Sequence, residues 1–206
     1  MYRIDRNNYN LKSKNSSIYT PPAVSQFIYE LLTPFFLPEK GRLIFDPCSG
    51  ENSLLKPWQA AGYQVWGNDN DSRVLRKQIP NSDLNFLTSE KFQWDNYFFQ
   101  EPILILCNPP FNGMKPKLAP EVWLDKILEL FGREIPIVLF APIGLRICHD
   151  PKSKRWGKFT NGHYPPITSI ISLPRTIFTG VEFHTEILIF NIPNLQPHYF
   201  YHHEQI

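Results

Sequence analysis

Apolar runs that do not alternate with polar residues restrict the fold of this chain more than any other feature. The clearest are PILILC at 102–107 and IPIVLFAP at 135–142, and RLIFD at 42–46 is a shorter one. A strand that faces water on one side alternates between apolar and polar residues, so an unbroken run indicates a strand covered on both faces. Such strands are typical of parallel sheets with helices on both sides.

Helical spacing in the segments between these runs completes the pattern. Apolar residues three and four positions apart predict helices in PPAVSQFIYELLTPFF, which Pro34 is expected to end, and in APEVWLDKILELF at 119–131. Weaker patterns predict helices at 53–62 and 71–79 and strands at 63–70, 83–87, 167–174 and 183–192, with a bend at 179–180. The sequence therefore predicts an α/β fold: a Rossmann-like, doubly wound, mostly parallel sheet of seven strands with a C-terminal antiparallel hairpin.

The composition bounds the class of protein. We expect a single domain over residues 1–206, with residues 1–17 as a polar, flexible N-terminal segment, because no linker or repeat divides the chain. The formal net charge of +2 neither requires nor excludes a polyanionic partner. The three cysteines form no CxxC pair and the histidines have no metal-ligand spacing, so neither a disulfide framework nor a metal site is indicated.

The N-terminus lacks the apolar core of a signal peptide. No apolar run approaches the roughly 20 residues needed to span a bilayer. A cytoplasmic protein without a membrane partner is therefore the simplest expectation.

Polar residues stand at the carboxyl ends of four predicted strands. Asp46 and Asp69 end the first two, the third leads through Asn85, and Asn108 comes directly after the fourth. Because the ligand crevice of an open α/β sheet lies at the carboxyl ends of its strands, we expect these side chains to line one site. Each also has an ordinary interpretation, since the DPCSGEN turn around Gly50 lacks the full G-x-G-x-x-G spacing and Asp69 is also typical of a solvated turn.

The sequence Asn-Pro-Pro-Phe at 108–111 is harder to explain as an ordinary turn. A turn uses asparagine and proline, but it does not need an aromatic ring at its tip. The Asn108 side-chain oxygen and the Pro109 carbonyl would present two acceptors to one planar amino group, and Phe111 would stack on the ring that bears it. This element therefore favours the binding of an aromatic amine or a planar amide.

Taken in order, these motifs resemble those of the S-adenosylmethionine-dependent amino-methyltransferases, which include the N6-adenine DNA methyltransferases. In that family a [D/N/S]-P-P-[Y/F/W] element binds the target amine. The matching segments are IYTPPAVSQFIYELL, FDPCSGENSLL, VWGNDND, LNFL, NPPF and FTGVEFHTEILIF. Their order is similar to the gamma arrangement of type I and several type II modification enzymes, and the resemblance covers residues 18–192.

The resemblance implies a role for individual residues. Thr20 and Asp46 would lie near the methionine part of the cofactor, Asp46 beside the Gly50 turn. Asp69 would hold its ribose hydroxyls, and Asn85 would lie near its adenine, with Pro109 and Phe111 nearby. The implied set for cofactor binding is Thr20, Asp46, Cys48, Gly50, Asp69, Asn85 and Asn108. The implied catalytic set is Asn108, Pro109, Pro110 and Phe111, which aligns the amine and stacks on the target base without a metal.

Two positions depart from the family pattern. Asn52 replaces the second glycine of the first motif, and Asn85 replaces an aspartate. Asparagine tolerates left-handed backbone geometry, so Asn52 is compatible with the turn, and Asn85 can still form hydrogen bonds without a charge. A catalytically weak or inactive relative, acting as a nucleic-acid-binding protein or a subunit, stays an alternative.

The gamma enzymes usually continue beyond the hairpin into a target-recognition domain, whereas this sequence ends at Ile206. We therefore expect target choice to come from an inserted loop, from a separate specificity subunit or from the shape of the substrate. The segment 149–166 is the best local candidate, because basic residues lie among aromatic ones, although a solvated loop would have the same composition. The candidate nucleic-acid-binding residues are Lys115, Lys152, Lys154, Arg155, Trp156 and Lys158.

The function implied by the resemblance is adenine-specific DNA methylation at N6, as in restriction-modification, with S-adenosylmethionine as the cofactor. Methylation of adenine in RNA, or of a glutamine amide in a protein, is the nearest alternative. The same Asn-Pro-Pro-Phe element accepts any planar amine, so the motif does not decide between them.

Overall fold

The computed structural model of the chain describes residues 19–39, 41–71, 79–111, 118–147, 152–178 and 182–202. The predicted N-terminal segment 1–17 lies outside these ranges, as does almost all of the predicted helix 71–79. The bend predicted at 179–180 and the candidate residue Lys115 lie outside them as well.

Within the described residues, eight strands form one sheet in the order β3-β2-β1-β4-β5-β7-β6-β8. Their bounds are β1 Leu43–Asp46, β2 Gln64–Asn68, β3 Asn81–Ser82, β4 Leu104–Cys107, β5 Ile137–Pro142, β6 Ile167–Ser172, β7 Thr185–Phe190 and β8 His198–Phe200. Strands β1 to β5 are parallel, and β7 is antiparallel to both β5 and β6. The predicted fold class is confirmed, whereas the predicted count of seven strands is wrong because β8 adds a short edge strand parallel to β6.

The predicted third strand is also displaced. Instead of a strand at 83–87, the chain forms β3 at Asn81–Ser82 and then a short 3-10 helix at Phe86–Thr88. Phe86 is buried there, stacked on Trp123 with ring centroids 5.1 Å apart. The apolar pattern of 83–87 had suggested a strand, but the chain forms a 3-10 helix here and buries the Phe86 ring in the core.

Five helices lie within the described residues. They are α1 Pro22–Phe36, α2 Lys56–Ala60, α3 Lys91–Tyr97, α4 Ala119–Phe131 and α5 Lys154–Thr160. The prediction that Pro34 ends α1 is wrong, because the helix runs through it to Phe36. Phe36 is buried with its ring 5.9 Å from that of Trp58, and this packing offsets the backbone hydrogen bond that a proline removes. None of the described helices is long and apolar enough to cross a membrane.

Two other helices differ from the sequence-based expectation. Helix α3 was not predicted, and α5 forms within the segment that had been interpreted as a loop. The predicted helix 53–62 is shorter, because turns precede α2. These are short helices, in which the periodic signal is weakest.

Two apolar cores cover the two faces of the sheet. Helices α1 and α2 contribute to the first core, in which Leu104 and Leu106 lie. Helices α3 and α4 contribute to the second, in which Ile105 and Cys107 lie. Successive residues of β4 thus point into opposite cores, and this explains why its sequence is apolar without alternation.

The order of the strands reverses between β1 and β4. From β1 the chain adds β2 and β3 on one side, and it then returns to add β4 and β5 on the other. At such a switch point the two connections diverge and leave a crevice at the carboxyl ends of the strands. The residues that follow β1 and β4 meet there, and Cys48 Sγ lies 3.5 Å from Cys107 Sγ.

Candidate active site

The turn after β1 closes tightly around Gly50. Gly50 has a φ of +48°, and its N–H donates to Asp69 Oδ2 at 3.0 Å. An added Cβ at Gly50 would lie 2.9 Å from the ring of Tyr19. Glycine therefore allows the turn to approach both the end of β2 and the segment before α1.

Asn52 adopts the backbone geometry that the family pattern reserves for glycine. Its φ is +61°, a left-handed value that asparagine was expected to tolerate. Its buried side chain fills the space in which Gly67 of β2 would carry a Cβ, and Ser49 Oγ lies beside it. The lack of a side chain at Gly67 thus leaves room for the side chain of Asn52.

Asp46 ends β1 and is 1% exposed. Its Oδ1 accepts a hydrogen bond from the Cys48 N–H at 3.0 Å. Burial raises the pKa of Asp46 to about 8; the bond from Cys48 opposes this shift, and the charge of Asp69 adds to it. A cation bound beside this buried carboxyl group would stabilise its ionised form, so the site favours a cationic ligand.

Asp69 follows β2 and faces the same turn. Besides the bond from Gly50, it accepts the N–H of Asp71 through Oδ1 at 2.9 Å. Burial raises the pKa of Asp69, and these two backbone bonds lower it. Each carboxylate oxygen has two lone pairs, so both oxygens can accept a further donor such as a hydroxyl group.

Asn68 holds three strand ends together, although the sequence had not suggested a role for it. It is 1% exposed, and its Nδ2 donates to the carbonyls of Pro47 and Leu84 at 3.0 and 3.1 Å. Its Oδ1 accepts from Ser82 Oγ at 2.9 Å and from the Leu84 N–H at 3.1 Å. An asparagine in a solvated turn has the same sequence context, so only the strand register reveals this role.

Asn85 lies at the same edge of the sheet, after β3. Its side chain is exposed, and its carbonyl accepts the N–H of Thr88 at 3.1 Å. Its predicted place near the adenine of a cofactor stays a prediction.

The Asn-Pro-Pro-Phe element follows β4 and faces Thr20. Asn108 is half-buried, and its Nδ2 donates to Thr20 Oγ1 at 2.9 Å. Pro109 is buried and Pro110 is exposed. The Asn108 amide therefore lies beside the segment that precedes α1, on the β4 side of the crevice.

The ring of Phe111 packs against the connection between β6 and β7. Its centroid lies 5.2 Å from that of Phe183 in an edge-to-face arrangement, and Phe183 stacks on Phe178 at 5.6 Å. The sequence had not suggested a role for Phe178 or Phe183. A phenylalanine in a hairpin is as common in cores as in sites, so its position along the chain carried no signal.

The structure gathers the predicted cofactor and catalytic residues at one edge of the sheet. These are Thr20, Asp46, Cys48, Gly50, Asp69, Asn85, Asn108, Pro109, Pro110 and Phe111. Within the described ranges, no group of three or more His, Cys, Asp and Glu side chains could hold a metal ion.

Apart from Lys115, which lies outside the described residues, the candidate nucleic-acid-binding residues lie on and beside α5, and two of them pair with carboxylates of α4. Arg155 Nε donates to Glu121 Oε2 at 2.9 Å, and Lys158 Nζ donates to Asp125 Oδ1 at 2.7 Å. Glu121 is only 4% exposed. These ion pairs dock α5 on α4.

The other candidates on this segment have different surroundings. Lys152 and Lys154 are exposed, and Trp156 is half-buried. Phosphate contact by this segment stays a prediction, and Arg155 and Lys158 already have partners within the chain.

A surface cavity of about 530 Å³ lies between α4 and the segment that follows α5, with Asp125, Arg133 and His163 among its lining. None of its lining residues belongs to the edge that carries Asp46 and Asn108. The cavity is therefore separate from the candidate active site.

Comparison of the sequence with known families gives one match. Residues 2–72 match the family model of the N-6 DNA methylases. This range includes Thr20, Asp46, Gly50 and Asp69, and it ends before the Asn-Pro-Pro-Phe element. The comparison with curated proteins found no relative.

Solved structures resemble the chain over most of its length. A candidate class I S-adenosylmethionine-dependent methyltransferase from Listeria monocytogenes aligns with a TM-score of 0.66 and 15% identity, over 93% of this chain and 67% of that one. The methyltransferase subunit of a type I restriction-modification system from Streptococcus thermophilus aligns with a TM-score of 0.61 and 19% identity, over 91% and 48%. The chain thus spans about half the length of that subunit.

A candidate RNA methyltransferase from Pyrococcus horikoshii aligns with a TM-score of 0.55 and 17% identity, over 91% of this chain and 96% of that one. At these identities the likeness establishes the fold. The chain has the fold of the class I methyltransferases.

Proposed function

We propose that this chain, which resembles the N6-adenine methyltransferases in sequence over residues 2–72 and in fold over most of its length, transfers a methyl group from S-adenosylmethionine to the N6 amine of adenine in DNA. One observation carries the proposal. The Asn-Pro-Pro-Phe element lies at the switch point of the sheet, next to the turn formed by Asp46, Gly50 and Asp69.

The residues around Gly50 fit S-adenosylmethionine in charge and in hydrogen-bonding capacity. Burial raises the pKa values of Asp46 and Asp69, so a cationic or hydrogen-bond-donating ligand would offset the energy needed to ionise them. Asp46 would face the ammonium of the methionine part, and Asp69 would accept the ribose hydroxyls. Bound there, the cofactor supplies an electrophilic sulfonium methyl group.

The residues after β4 suit the alignment of an amine. Asn108 Oδ1 and the Pro109 carbonyl would accept hydrogen bonds from its two N–H groups, and the two prolines limit the movement of these acceptors. Acceptors fixed before the reaction stabilise the positive charge that develops on nitrogen. Phe111 would stack on the target base, which a duplex would have to expose by base flipping.

DNA as the substrate rests on the family model and on the likeness to a restriction-modification subunit. A separate specificity subunit would then supply target recognition. RNA is the second candidate, because this chain covers 96% of the candidate RNA methyltransferase from Pyrococcus horikoshii but only 48% of the restriction-modification subunit.

Transfer of a labelled methyl group to separate pools of DNA, RNA and protein tests the proposal. We expect label in DNA, recovered as N6-methyladenine after digestion to nucleosides. Label in RNA alone would replace DNA as the substrate, and label in protein alone would favour a glutamine amide. A failure to bind S-adenosylmethionine at millimolar concentration in calorimetry would exclude the enzyme and favour the non-catalytic alternative.

A further inference from the structure

Two X-Pro-Pro segments meet at the candidate active site. Thr20-Pro21-Pro22 begins α1 and Asn108-Pro109-Pro110 follows β4, and the bond from Asn108 Nδ2 to Thr20 Oγ1 joins them across 88 positions of sequence. A proline restricts the residue before it to extended conformations and fixes its own φ. Both polar side chains therefore project from stiff backbone.

Thr20 is held in place by the core of the protein. Its side chain is 6% exposed, and Pro21 caps α1 by accepting the N–H groups of Val24 and Ser25 at 3.0 and 3.1 Å. Helix α1 in turn buries Val24 and Ile28 against the sheet. The position of the Thr20 hydroxyl thus follows from the packing of α1, independently of any ligand.

The bond to Thr20 has a consequence for the orientation of Asn108. An asparagine amide has a donor end and an acceptor end, so when Nδ2 donates to Thr20, Oδ1 points the other way. No described residue donates to Asn108 Oδ1, which leaves it available to a substrate amine. A flipped amide could also pair with the Thr20 hydroxyl, which would then donate to Oδ1. It would however present its own N–H groups to the amine, and two donors repel each other.

We propose that Thr20 is a positioning residue: by accepting the bond from Nδ2 it holds the Asn108 side chain in place, so that Oδ1 serves as the acceptor for the amine. The catalytic part of this inference, that Oδ1 accepts the amine, rests on the proposed function. The hydrogen bond itself can be tested without any reaction. It assigns to the Thr20 hydroxyl a role through Asn108, in place of the predicted contact with a cofactor.

Three substitutions isolate this bond. Thr20→Val keeps the shape of the side chain and removes the hydroxyl, whereas Thr20→Ser keeps the hydroxyl. Thr33→Val is the matched control, because Thr33 lies on α1, which Thr20 precedes, and its hydroxyl donates to the Tyr29 carbonyl at 2.6 Å. Thr20→Ala replaces the valine variant if that variant does not fold.

The first measurement is the hydrogen-exchange rate of the Asn108 side-chain amide by NMR, with its signals assigned by their loss in Asn108→Ala. We expect exchange to become about fivefold faster in Thr20→Val, as the loss of one hydrogen bond predicts, and to stay unchanged in Thr20→Ser and Thr33→Val. An unchanged rate in Thr20→Val overturns the proposal whether or not the chain is active. Equal acceleration in Thr33→Val overturns it as well, because general loosening would then be the cause.

The second measurement separates kcat from the Kd of S-adenosylmethionine. We expect Thr20→Val to lower kcat about 10- to 100-fold, as misplacement of a reacting group does, with the Kd changed less than about twofold and with kcat restored in Thr20→Ser. A rise in Kd that matches the fall in kcat would make Thr20 a cofactor contact and would overturn the positioning role. If the wild-type chain transfers no methyl group, the proposed function fails and the exchange rates alone decide the orientation of Asn108.

Discussion

The carboxyl edge of the parallel strands and helix α5 were both predicted to bind ligands, yet their charged groups have opposite surroundings. At the edge, Asp46 and Asp69 are withdrawn from water and accept hydrogen bonds from backbone N–H groups, and burial raises their pKa values. On α5, Arg155 and Lys158 are paired with carboxylates of α4. Among the described residues, none forms an ion pair with Asp46 or Asp69, whereas Arg155 and Lys158 on α5 are neutralised by carboxylates of α4.

This difference distinguishes a candidate ligand-binding site from ion pairs that stabilise the fold. A buried group whose ionised form lacks a cationic partner is destabilised until a ligand supplies one. A cation already paired with a buried carboxylate would lose that partner on binding a phosphate, which reduces the gain. We therefore expect substitutions at the edge to change activity and substitutions in the α5 ion pairs to change stability.

The largest effect is expected for Asn108→Ala. Loss of one preorganised acceptor should lower kcat for methyl transfer about 100- to 1,000-fold while the Kd of S-adenosylmethionine stays nearly the same. Transfer assays and calorimetry measure the two quantities. Asn96→Ala, an exposed change on α3, is the control. An equal loss of binding and transfer would contradict the role of Asn108 and weaken the contrast between edge and helix.

Asp46 should make the stability of the free protein depend on pH. Between pH 4 and pH 8 the folded chain keeps a proton on Asp46 that the unfolded chain has lost, so stability falls as pH rises through this window. The slope for one proton is about 1.4 kcal/mol per pH unit, which allows a loss of up to about 3 kcal/mol between pH 5 and pH 7. Urea unfolding at several pH values measures it.

Asp46→Asn should flatten this dependence, because the amide can still accept the bond from Cys48 but does not titrate. Asp83→Asn, at an exposed carboxyl group, should leave the slope as in the wild type. If the free energy of unfolding changes with pH by the same slope in the wild type and in Asp46→Asn, Asp46 is not the group that keeps the proton.

Glu121→Gln tests the helix side of the comparison. The change removes the charge that Arg155 and Lys158 share, and it should lower the free energy of unfolding by about 2 kcal/mol without altering cofactor affinity. Glu39→Gln breaks an exposed pair with Arg42 and should lower it by less than about 0.5 kcal/mol. Similar losses in both variants would mean that the α4–α5 ion pairs add no more than surface contacts do.

The smallest effect is expected for Lys154→Ala. Lys154 is exposed on α5, and loss of one phosphate contact should weaken DNA binding a few-fold, by about fivefold at most, and reduce the salt slope by about 1. Filter binding at several salt concentrations measures both. Lys56→Ala, at an exposed lysine of α2, is the matched control. If the two variants bind DNA equally well, α5 contributes nothing specific to the interface.

The strands at the centre of the sheet were predictable, and those at its margins were not. Strand β4 and strand β5 have apolar runs because both of their faces are covered, and this is a local property of the sequence. The strand expected at 83–87 does not form, because Asn68 Oδ1 accepts hydrogen bonds from Ser82 Oγ and from the Leu84 N–H. The pairing of β3 with β2 therefore ends at Ser82. The short edge strand β8 has exposed residues at both ends and gave no apolar signal.

The site divides in the same way. Asp46, Asp69 and Asn108 could be assigned to one edge because the carboxyl ends of parallel strands must lie together. The contact of Phe111 with Phe183 could not be foreseen, since it depends on how the hairpin packs against the end of β4. The role of Asn68 was hidden because burial, not residue type, distinguishes it from an asparagine in a solvated turn.

The sequence by itself determined which segments form the central buried strands, where these strands end and which polar groups stand at their ends. These properties follow from periodicity and from the backbone restrictions of proline, which act between neighbours in the chain. Only the tertiary structure decided what each polar group bonds: that Arg155 faces Glu121 and that Asn108 faces Thr20. The reason is physical, because a hydrogen bond between distant residues exists only where the packing of helices on the sheet brings its two atoms within about 3 Å.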